Sequence, residues 1–374
     1  RIVSTCEGRP DAEVTIAIGA YVWAESVIQE VLPMLRHRGF TGRIVMGGPQ
    51  ISYQPSGLEE IYPDADVFIR GYGEEALCEL VESTGRPQIQ GVHYAGTQDA
   101  QQQAHVDFEA LPSPWLEGTI DLEEQRFIRW ETQRGCQHRC KFCQHREAGA
   151  RLPHRSFGID RLTKEVELFC AAELDEIAVL DPIFNMGQHA TRLLEQFVAL
   201  GFEGRLSLQC RAETVKEPFL DAVEQLDVCL EFGLQTIHDD EQEAIGRNNA
   251  MPLVEETLRK VRCRGIDHEV SIIFGLPEQT LGSFLATVDW CLRRSIPVIK
   301  AFPLMLLRGT PLERDAEELG LITDGHSMPK VIASKTFSRR DWRQMAGISD
   351  ALKATEGDHP PGVLTLLGQT TPRS

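Results

Sequence analysis

The chain has 374 residues, room for about two domains at roughly 150 residues each. Hydrophobic residues make up 42% and charged residues 25%, an ordinary globular balance. No apolar run approaches the ~18 residues of a membrane-spanning helix, so no membrane partner is expected. Lys and Arg total 38 against 56 Asp and Glu, a formal charge of −18; without a Lys/Arg-rich block to neutralise phosphates, a nucleic-acid substrate is not expected.

The sequence starts at Arg1 rather than Met, and no secretory signal precedes the first strand-like segment. Residues 1–85 alternate short apolar strands with amphipathic helices. Val14–Gly19 reads as a buried strand and about Ala24 to Arg38 as a helix. Arg43–Gly47 and Asp66–Arg70 read as further strands, with a helix from about Glu74. Strand–helix alternation predicts a doubly wound parallel sheet. Three βα units are fewer than such a domain usually holds, as expected if its N-terminal part is missing. Residues 86–125, with Pro87, Pro112, Pro114 and a Gln-rich stretch, read as a linker or strap.

Residues 126–320 repeat strand then helix. The predicted strands are Phe127–Thr132, Glu176–Leu180, Leu206–Cys210, Val228–Phe232, Val270–Phe274 and Val298–Phe302. The predicted helices are Ile159–Ala172, His189–Leu200, Glu217–Gln225, Pro252–Arg264 and Ser283–Arg294. Six such units predict an open, partial (β/α)6 barrel of the TIM type, whose functional groups gather at the C-terminal strand ends. Residues 321–374 read as a C-terminal segment with a helix around Arg340 to Ala354 and a Pro/Gly/Thr-rich tail.

Of ten cysteines, seven are scattered singly; in an acidic, signal-free chain they predict buried thiols in a reducing, cytoplasmic setting. The other three, Cys136, Cys140 and Cys143, lie in Arg134-Gly-Cys-Gln-His-Arg-Cys-Lys-Phe-Cys-Gln-His-Arg146, after the first barrel strand. Three readings fit the C-x3-C-x2-C spacing. The thiols could be unrelated core residues, against which the polarity of the loop argues. They could hold zinc with His138 or His145, although no second Cys knuckle is visible. Or each could bind one corner of an iron–sulfur cube. Such cubes normally take four cysteines, so the fourth iron would be left for a substrate or cofactor. His138, His145 and His154 read as solvated loop residues or as donors in the cluster's environment rather than as ligands.

This loop, at the head of a six-unit βα array, resembles the signature of the radical S-adenosylmethionine (radical SAM) enzymes. The resemblance implies a 4Fe-4S cluster on Cys136, Cys140 and Cys143. SAM would occupy the open iron and be cleaved to methionine and a 5′-deoxyadenosyl radical, so the difficult chemistry belongs to the cofactors. Phe142 matches the aromatic that packs by adenine. Asp181, in Leu180-Asp-Pro-Ile-Phe-Asn185, stands where the family often carries a Gly-Gly-Glu segment contacting the SAM amino group, though the glycines are absent here. Gln209 and Arg211 match polar positions of the third strand that reach ribose and carboxylate. Glu231-Phe-Gly-Leu-Gln-Thr236 with Arg247 resembles the E-x-G-x-Q-S/T…R segment, implicating Glu231 and Gln235. Ile273-Phe-Gly-Leu-Pro-Glu278 resembles the fifth-strand turn, whose backbone at Gly275 lies against adenine. Taken singly, each would read as strand-end packing; five in the right order do not.

The N-terminal region resembles the cobalamin-binding domain that precedes the barrel in one large subfamily. The resemblance implies corrin contacts at Gly47 and Gly48, in Met46-Gly-Gly-Pro-Gln50, at Gly71, in Ile69-Arg-Gly-Tyr-Gly-Glu-Glu75, and at Tyr21 of Tyr21-Val-Trp23. Leu111-Pro-Ser-Pro-Trp115 matches the strap of that subfamily. The Asp-x-His-x-x-Gly motif that ligates cobalt in many cobalamin proteins is absent. The implied activity is methyl transfer to an unactivated carbon of a small metabolite or peptide, with an electron donor such as flavodoxin or ferredoxin. One alternative keeps the fold with a cofactor-free N-terminal domain, as a dehydratase, epimerase, decarboxylase or aminocarboxypropyl transferase. The other is a zinc-stapled binding protein.

Overall fold

A computed structural model describes residues 14–145 and 155–370. Cys6, Arg146 and His154 lie outside the described residues. In the N-terminal sheet, β1 (Thr15–Gly19), β2 (Arg43–Gly47) and β3 (Val67–Ile69) are adjacent and parallel. Alternation along β2 sends Ile44 and Met46 to one face, against Ile28, Leu32 and Leu35 of α1 (Glu25–His37). Val45, with Val67 and Ile69, goes to the other face, against Ala76 and Leu80 of α2 (Glu74–Glu82). Both faces are covered by helices, as a parallel sheet requires.

The segment read as a strap contributes to this sheet. β4 (Val92–Tyr94) pairs antiparallel with β3, and three residues among Pro and Gln are too few to carry a periodic signal. Farther along, Ser113 Oγ, Trp130 Nε1 and Arg161 Nε all donate to the fully buried carboxylate of Glu165. Arg161 also donates to the Leu111 carbonyl, and Trp115 packs edge-on against Phe169. The Leu111–Trp115 stretch is thereby fastened to the outside of the barrel.

The barrel strands are β5 (Phe127–Trp130), β6 (Glu176–Val179), β7 (Arg205–Cys210), β8 (Val228–Gln235), β9 (Asp267–Phe274) and β10 (Val298–Pro303). They lie side by side in chain order, all parallel. β5 and β10 are the two edges, so the barrel is partial. The helices α3 (Ile159–Ala171), α4 (Ala190–Leu200), α5 (Glu217–Val223), α6 (Met251–Cys263) and α7 (Leu281–Arg293) connect the strands. Outward residues such as Ile128, Ile177, Leu208, Leu230 and Ile272 are buried in one apolar core. The inward face is polar, with Ser207, Gln209, Glu231, Glu269, Ser271 and Lys300 on β7 to β10. At the C-terminal end, α8 (Arg339–Ala354) contacts β10 and α7, and α9 (Val363–Thr370) contacts α7 and α8. No helix among the described residues is long and apolar enough to cross a membrane.

Gly71 holds the chain at Ala104 against the N-terminal sheet. Its φ is +81°, and a Cβ there would stand 2.5 Å from the Ala104 carbonyl oxygen and 2.9 Å from the Ala104 nitrogen. We expect Gly71→Ala to destabilise the apoprotein by about 2–4 kcal/mol in urea unfolding, combining left-handed strain with overpacking. A loss under about 1 kcal/mol would mean that the chain at 104 simply moves away.

Candidate active site

The cysteine loop leaves the barrel through a short antiparallel pairing of Gln133–Arg134 with Arg155–Ser156. Gly135 turns the chain at φ +83° immediately before Cys136, a conformation that glycine adopts without a Cβ penalty. Two backbone contacts then seat the loop's centre. Lys141 N donates to the Ile245 carbonyl at 2.8 Å, and Leu312 N donates to the Lys141 carbonyl at 3.1 Å. Close to the first of these, Gly246 sits at φ +64°, where a Cβ would come 3.2 Å from the Arg139 carbonyl oxygen. Cys143 N donates to the Cys140 carbonyl, and His145 N donates to the Cys143 sulfur at 3.4 Å.

Cys140 is buried, Cys136 and Cys143 are half-buried, and none is in a disulfide. All three line a cavity of about 390 Å³ at the barrel mouth. Phe142, Gln209, Arg211, Glu231 and Gln235 line the same cavity. The volume lies within the roughly 300–1,000 Å³ usual for small-molecule sites. Gln235 reaches it from a β-bulge at the end of β8, with φ +70°. Gly233 makes room for this: a Cβ there would stand 2.8 Å from the Gln235 amide nitrogen.

Two buried arginines bring positive charge to the cavity beside the thiols. Arg211 is 6% exposed, ion-paired to Glu213 at 3.1 Å and donating to the Asn248 carbonyl at 2.5 Å. Arg247 donates to the Gly233 carbonyl and to Asn249 Oδ1, and its Nη1 lies 4.0 Å from the Cys140 sulfur. Burial pushes the Cys136 thiol upward, with Arg211 and Arg247 opposing that shift. A thiol must ionise to bind a metal centre. On the floor, Lys300 pairs with Glu269; burial, and then the Glu269 charge, raise the Glu231 carboxyl.

Among the described residues no group of three or more Cys, His, Asp or Glu side chains converges on a single-ion site. A zinc site needs that convergence. A cube does not, because each thiolate binds its own corner. The donor set of three separate thiols around one cavity, with cationic neighbours, fits an iron–sulfur cluster.

A larger cleft, of about 1430 Å³, lies between the C-terminal ends of the N-terminal strands and the barrel. Tyr21, Gly47, Gly48 and Gly71 line it, and Tyr21 stacks on Trp23 at 4.7 Å with both rings exposed. The cleft exceeds the usual range for a small ligand. Pro182 and His145 line both the cleft and the cysteine cavity, so the two spaces adjoin there.

Residues 130–291 match the family model of the radical SAM superfamily. The chain carries a radical SAM domain. It is 26% identical over 338 residues to the cobalamin-dependent radical SAM methyltransferase TokK of Streptomyces tokunonensis, covering 82% of this chain and 49% of TokK. It is likewise 26% identical over 298 residues to 2-(S-pantetheinyl)-carbapenam-3-carboxylate methyltransferase of Streptantibioticus cattleyicolor, covering 72% of this chain and 43% of that protein. The chain thus spans about half the length of these curated relatives. Among solved structures, the radical SAM methyltransferase TsrM of Kitasatospora setae superposes with a TM-score of 0.68 at 20% identity, covering 88% of this chain and 70% of TsrM. The cobalamin-dependent radical SAM enzyme OxsB gives 0.69 at 16%, covering 95% and 60%. These two place the N-terminal parallel sheet and the barrel in one known architecture.

Two residues expected to contact SAM lie outside the lining of the cysteine cavity. Asp181 is fully buried, outside the cavity lining; its oxygens accept from Thr132 N at 2.8 Å, Thr132 Oγ1 and Gln133 N at 3.2 Å. It fixes the exit of β5, and Pro182 and Ile183 face the cavity in its stead. Gly275, at φ +88°, directs its absent Cβ toward the Val331 carbonyl oxygen at 3.1 Å, and its N–H is taken by Gln279. It too is outside the cavity lining. At Gly48 the glycine is required by the chain itself, since a Cβ would stand 2.9 Å from the Ala20 carbonyl oxygen. His145, read as a solvated loop residue or a donor in the cluster's environment, forms part of the wall shared by the two spaces, and Glu269, Ser271 and Lys300 line the cavity without having been among the sequence candidates. The inward alternation of β9 and β10 was the one signal that could have found these last three.

Burial raises the Asp181 carboxyl to about 7, against the opposing hydrogen bonds of Thr132 and Gln133. Unfolded, it would titrate near ~3.9. Between these values the unfolded chain binds fewer protons than the folded one, so this group removes stability as pH rises from about 4 to about 7. We expect Asp181→Asn to abolish that component in urea unfolding at pH 5 and pH 7. An unchanged difference between the two pH values would show that Asp181 is ionised throughout.

Proposed function

We propose that the chain is the catalytic part of a cobalamin-dependent radical SAM enzyme that methylates an unactivated carbon of a small metabolite or peptide. The observation that carries this reading is the adjoining of two spaces of unequal size at Pro182 and His145. Cys136, Cys140 and Cys143 would hold a 4Fe-4S cluster. Phe142, Gln209, Arg211, Glu231 and Gln235 would hold SAM in the smaller space. Tyr21, Gly47, Gly48 and Gly71 would line a cobalamin seat in the larger one. When bound, the cluster and SAM supply the 5′-deoxyadenosyl radical and cobalamin supplies the methyl group.

The protein's own residues bind, orient and shield. Glu213 and the Asn248 carbonyl fix the Arg211 guanidinium, so it can meet a carboxylate with little further ordering. Phe142 packs partly against the core while lining the cavity, which suits a flat heterocycle. The substrate would enter at the shared wall, with reducing equivalents from a flavodoxin- or ferredoxin-type donor in a cytoplasmic setting. The names of TokK and OxsB, both cobalamin-dependent, support the corrin assignment. A radical SAM enzyme with a cofactor-free N-terminal domain remains the competing reading, since a fold alone does not bring its ligand.

Three measurements test the scheme. Anaerobically reconstituted protein should retain hydroxocobalamin through gel filtration; loss of the corrin there would sink methyl transfer and favour the cofactor-free alternative. Cys140→Ala should abolish cluster assembly and SAM cleavage with the fold intact, and continued 5′-deoxyadenosine formation would contradict the ligand assignment. Arg211→Ala should weaken SAM binding by roughly 10- to 100-fold, about the 1.5–3 kcal/mol of a hydrogen bond to a charged group, while iron content holds. Equal loss of SAM and iron would make Arg211 a structural residue.

A further inference from the structure

Resting on the cluster reading above, we propose that Arg308 is a positioning residue for the cysteine loop, through which the N-terminal domain sets the Cys143 end of the cluster site. The loop after β10 carries Arg308 across to the N-terminal domain. There its Nη2 pairs with Glu25 Oε1 at 2.7 Å and its Nη1 donates to the Gln50 carbonyl at 2.9 Å. Glu25 is 5% exposed, Gln50 3% and Tyr62 1%, and Tyr62 Oη donates to Glu25 Oε1 at 2.9 Å. Gln50 Nε2 donates to the second Glu25 oxygen. The guanidinium is thus received by a built polar pocket inside a domain distinct from its own.

The same residue holds the cysteine loop by its backbone. The Arg308 carbonyl accepts from Gln144 Nε2 at 2.7 Å, and Gln144 directly follows Cys143. From the N-terminal domain, Tyr53 Oη donates to the Gln144 carbonyl. Gln144 is therefore gripped at its side chain by Arg308 and at its backbone by Tyr53. Tyr53 in turn abuts Gly309, where a Cβ would stand 2.5 Å from the Tyr53 carbonyl oxygen. The grip closes a continuous path from Glu25 through Arg308 and Gln144 to Cys143. Groups that orient metal ligands from outside the ligand set typically change affinity or activity 10- to 100-fold when removed.

The test uses the full chain, reconstituted anaerobically with iron and sulfide and without cobalamin, comparing wild type with Arg308→Met, Arg308→Lys and Tyr53→Phe. Iron content, the EPR spectrum and midpoint potential of the reduced cluster, 5′-deoxyadenosine formed per assembled cluster, and melting temperature are read for each. We expect Arg308→Met to alter the EPR spectrum and potential and to lower 5′-deoxyadenosine formation per cluster by roughly 10-fold. Tyr53→Phe should shift both spectroscopic readouts as well, and Arg308→Lys, which keeps the Glu25 pairing, should return them toward wild type. A lower melting temperature with unchanged spectrum and potential in Arg308→Met would overturn the proposal and leave Arg308 a domain-interface residue only. Should Arg308→Met not fold, Tyr53→Phe decides alone, because it removes a single hydroxyl; an unchanged spectrum there overturns the proposal equally. A wild type that assembles no cluster would overturn the cluster reading itself, an outcome distinct from both.

Discussion

The arrangement depends on a loop that has no core of its own being held from outside. Residues 135–145 contribute one buried cysteine and little apolar surface, so hydrophobic burial alone cannot fix their course. Hydrogen bonds from distant segments do so instead: Ile245 and Leu312 at Lys141, and Arg308 and Tyr53 at Gln144. The anchors come from three parts of the chain, at Ile245, at Arg308 and Leu312, and at Tyr53, the last in the N-terminal domain. A loop determined in this way keeps its three thiols around one cavity.

The barrel shows the same logic at larger scale. In a closed eight-stranded barrel the interior is packed with branched apolar residues. Here β7 to β10 direct Gln209, Glu231, Glu269, Ser271 and Lys300 inward, and stability is left to the outer layer between strands and helices. An acidic chain thereby concentrates two of its arginines, Arg211 and Arg247, near the thiols. Both are tied to carbonyls or a carboxylate, so their charge is already paired or hydrogen-bonded before any ligand arrives.

Much of the fold was legible because it is written in short-range periodicity. The six barrel strands lie within a few residues of their sequence positions, and α3, α4, α6 and α7 within two, since apolar alternation and capping are local. β4 escaped because three residues carry no period and its partner lies more than twenty residues back. The cavity divided along the same line. Gln209, Arg211, Glu231 and Gln235, expected from the family resemblance, lie on or just past the inward face of β7 and β8 and line the space together. Asp181 and Gly275 sit in turns just past a strand end, where one residue of turn geometry decides whether a group faces the cavity or braces the chain behind it. For Asp181 the deciding partner is Thr132, 49 residues away; for Gly275 it is the chain at Val331.

The Glu25–Arg308 pairing spans 283 residues, and no pattern within one sequence announces it. Its cost makes it informative. Burying a guanidinium and a carboxylate together is at best weakly favourable to stability, and leaving either alone is strongly unfavourable. An apolar contact at the same place would hold the domains together at least as well, but it would not fix their mutual register. A bidentate cation received by Glu25 Oε1 and the Gln50 carbonyl does fix it, because both acceptors have defined directions. The wall formed by Pro182 and His145 belongs to the barrel, whereas the opposite side of the cleft belongs to the N-terminal sheet. An angular error between the domains would therefore change the separation of the two spaces directly, and a directional ion pair resists that error where a greasy interface would not.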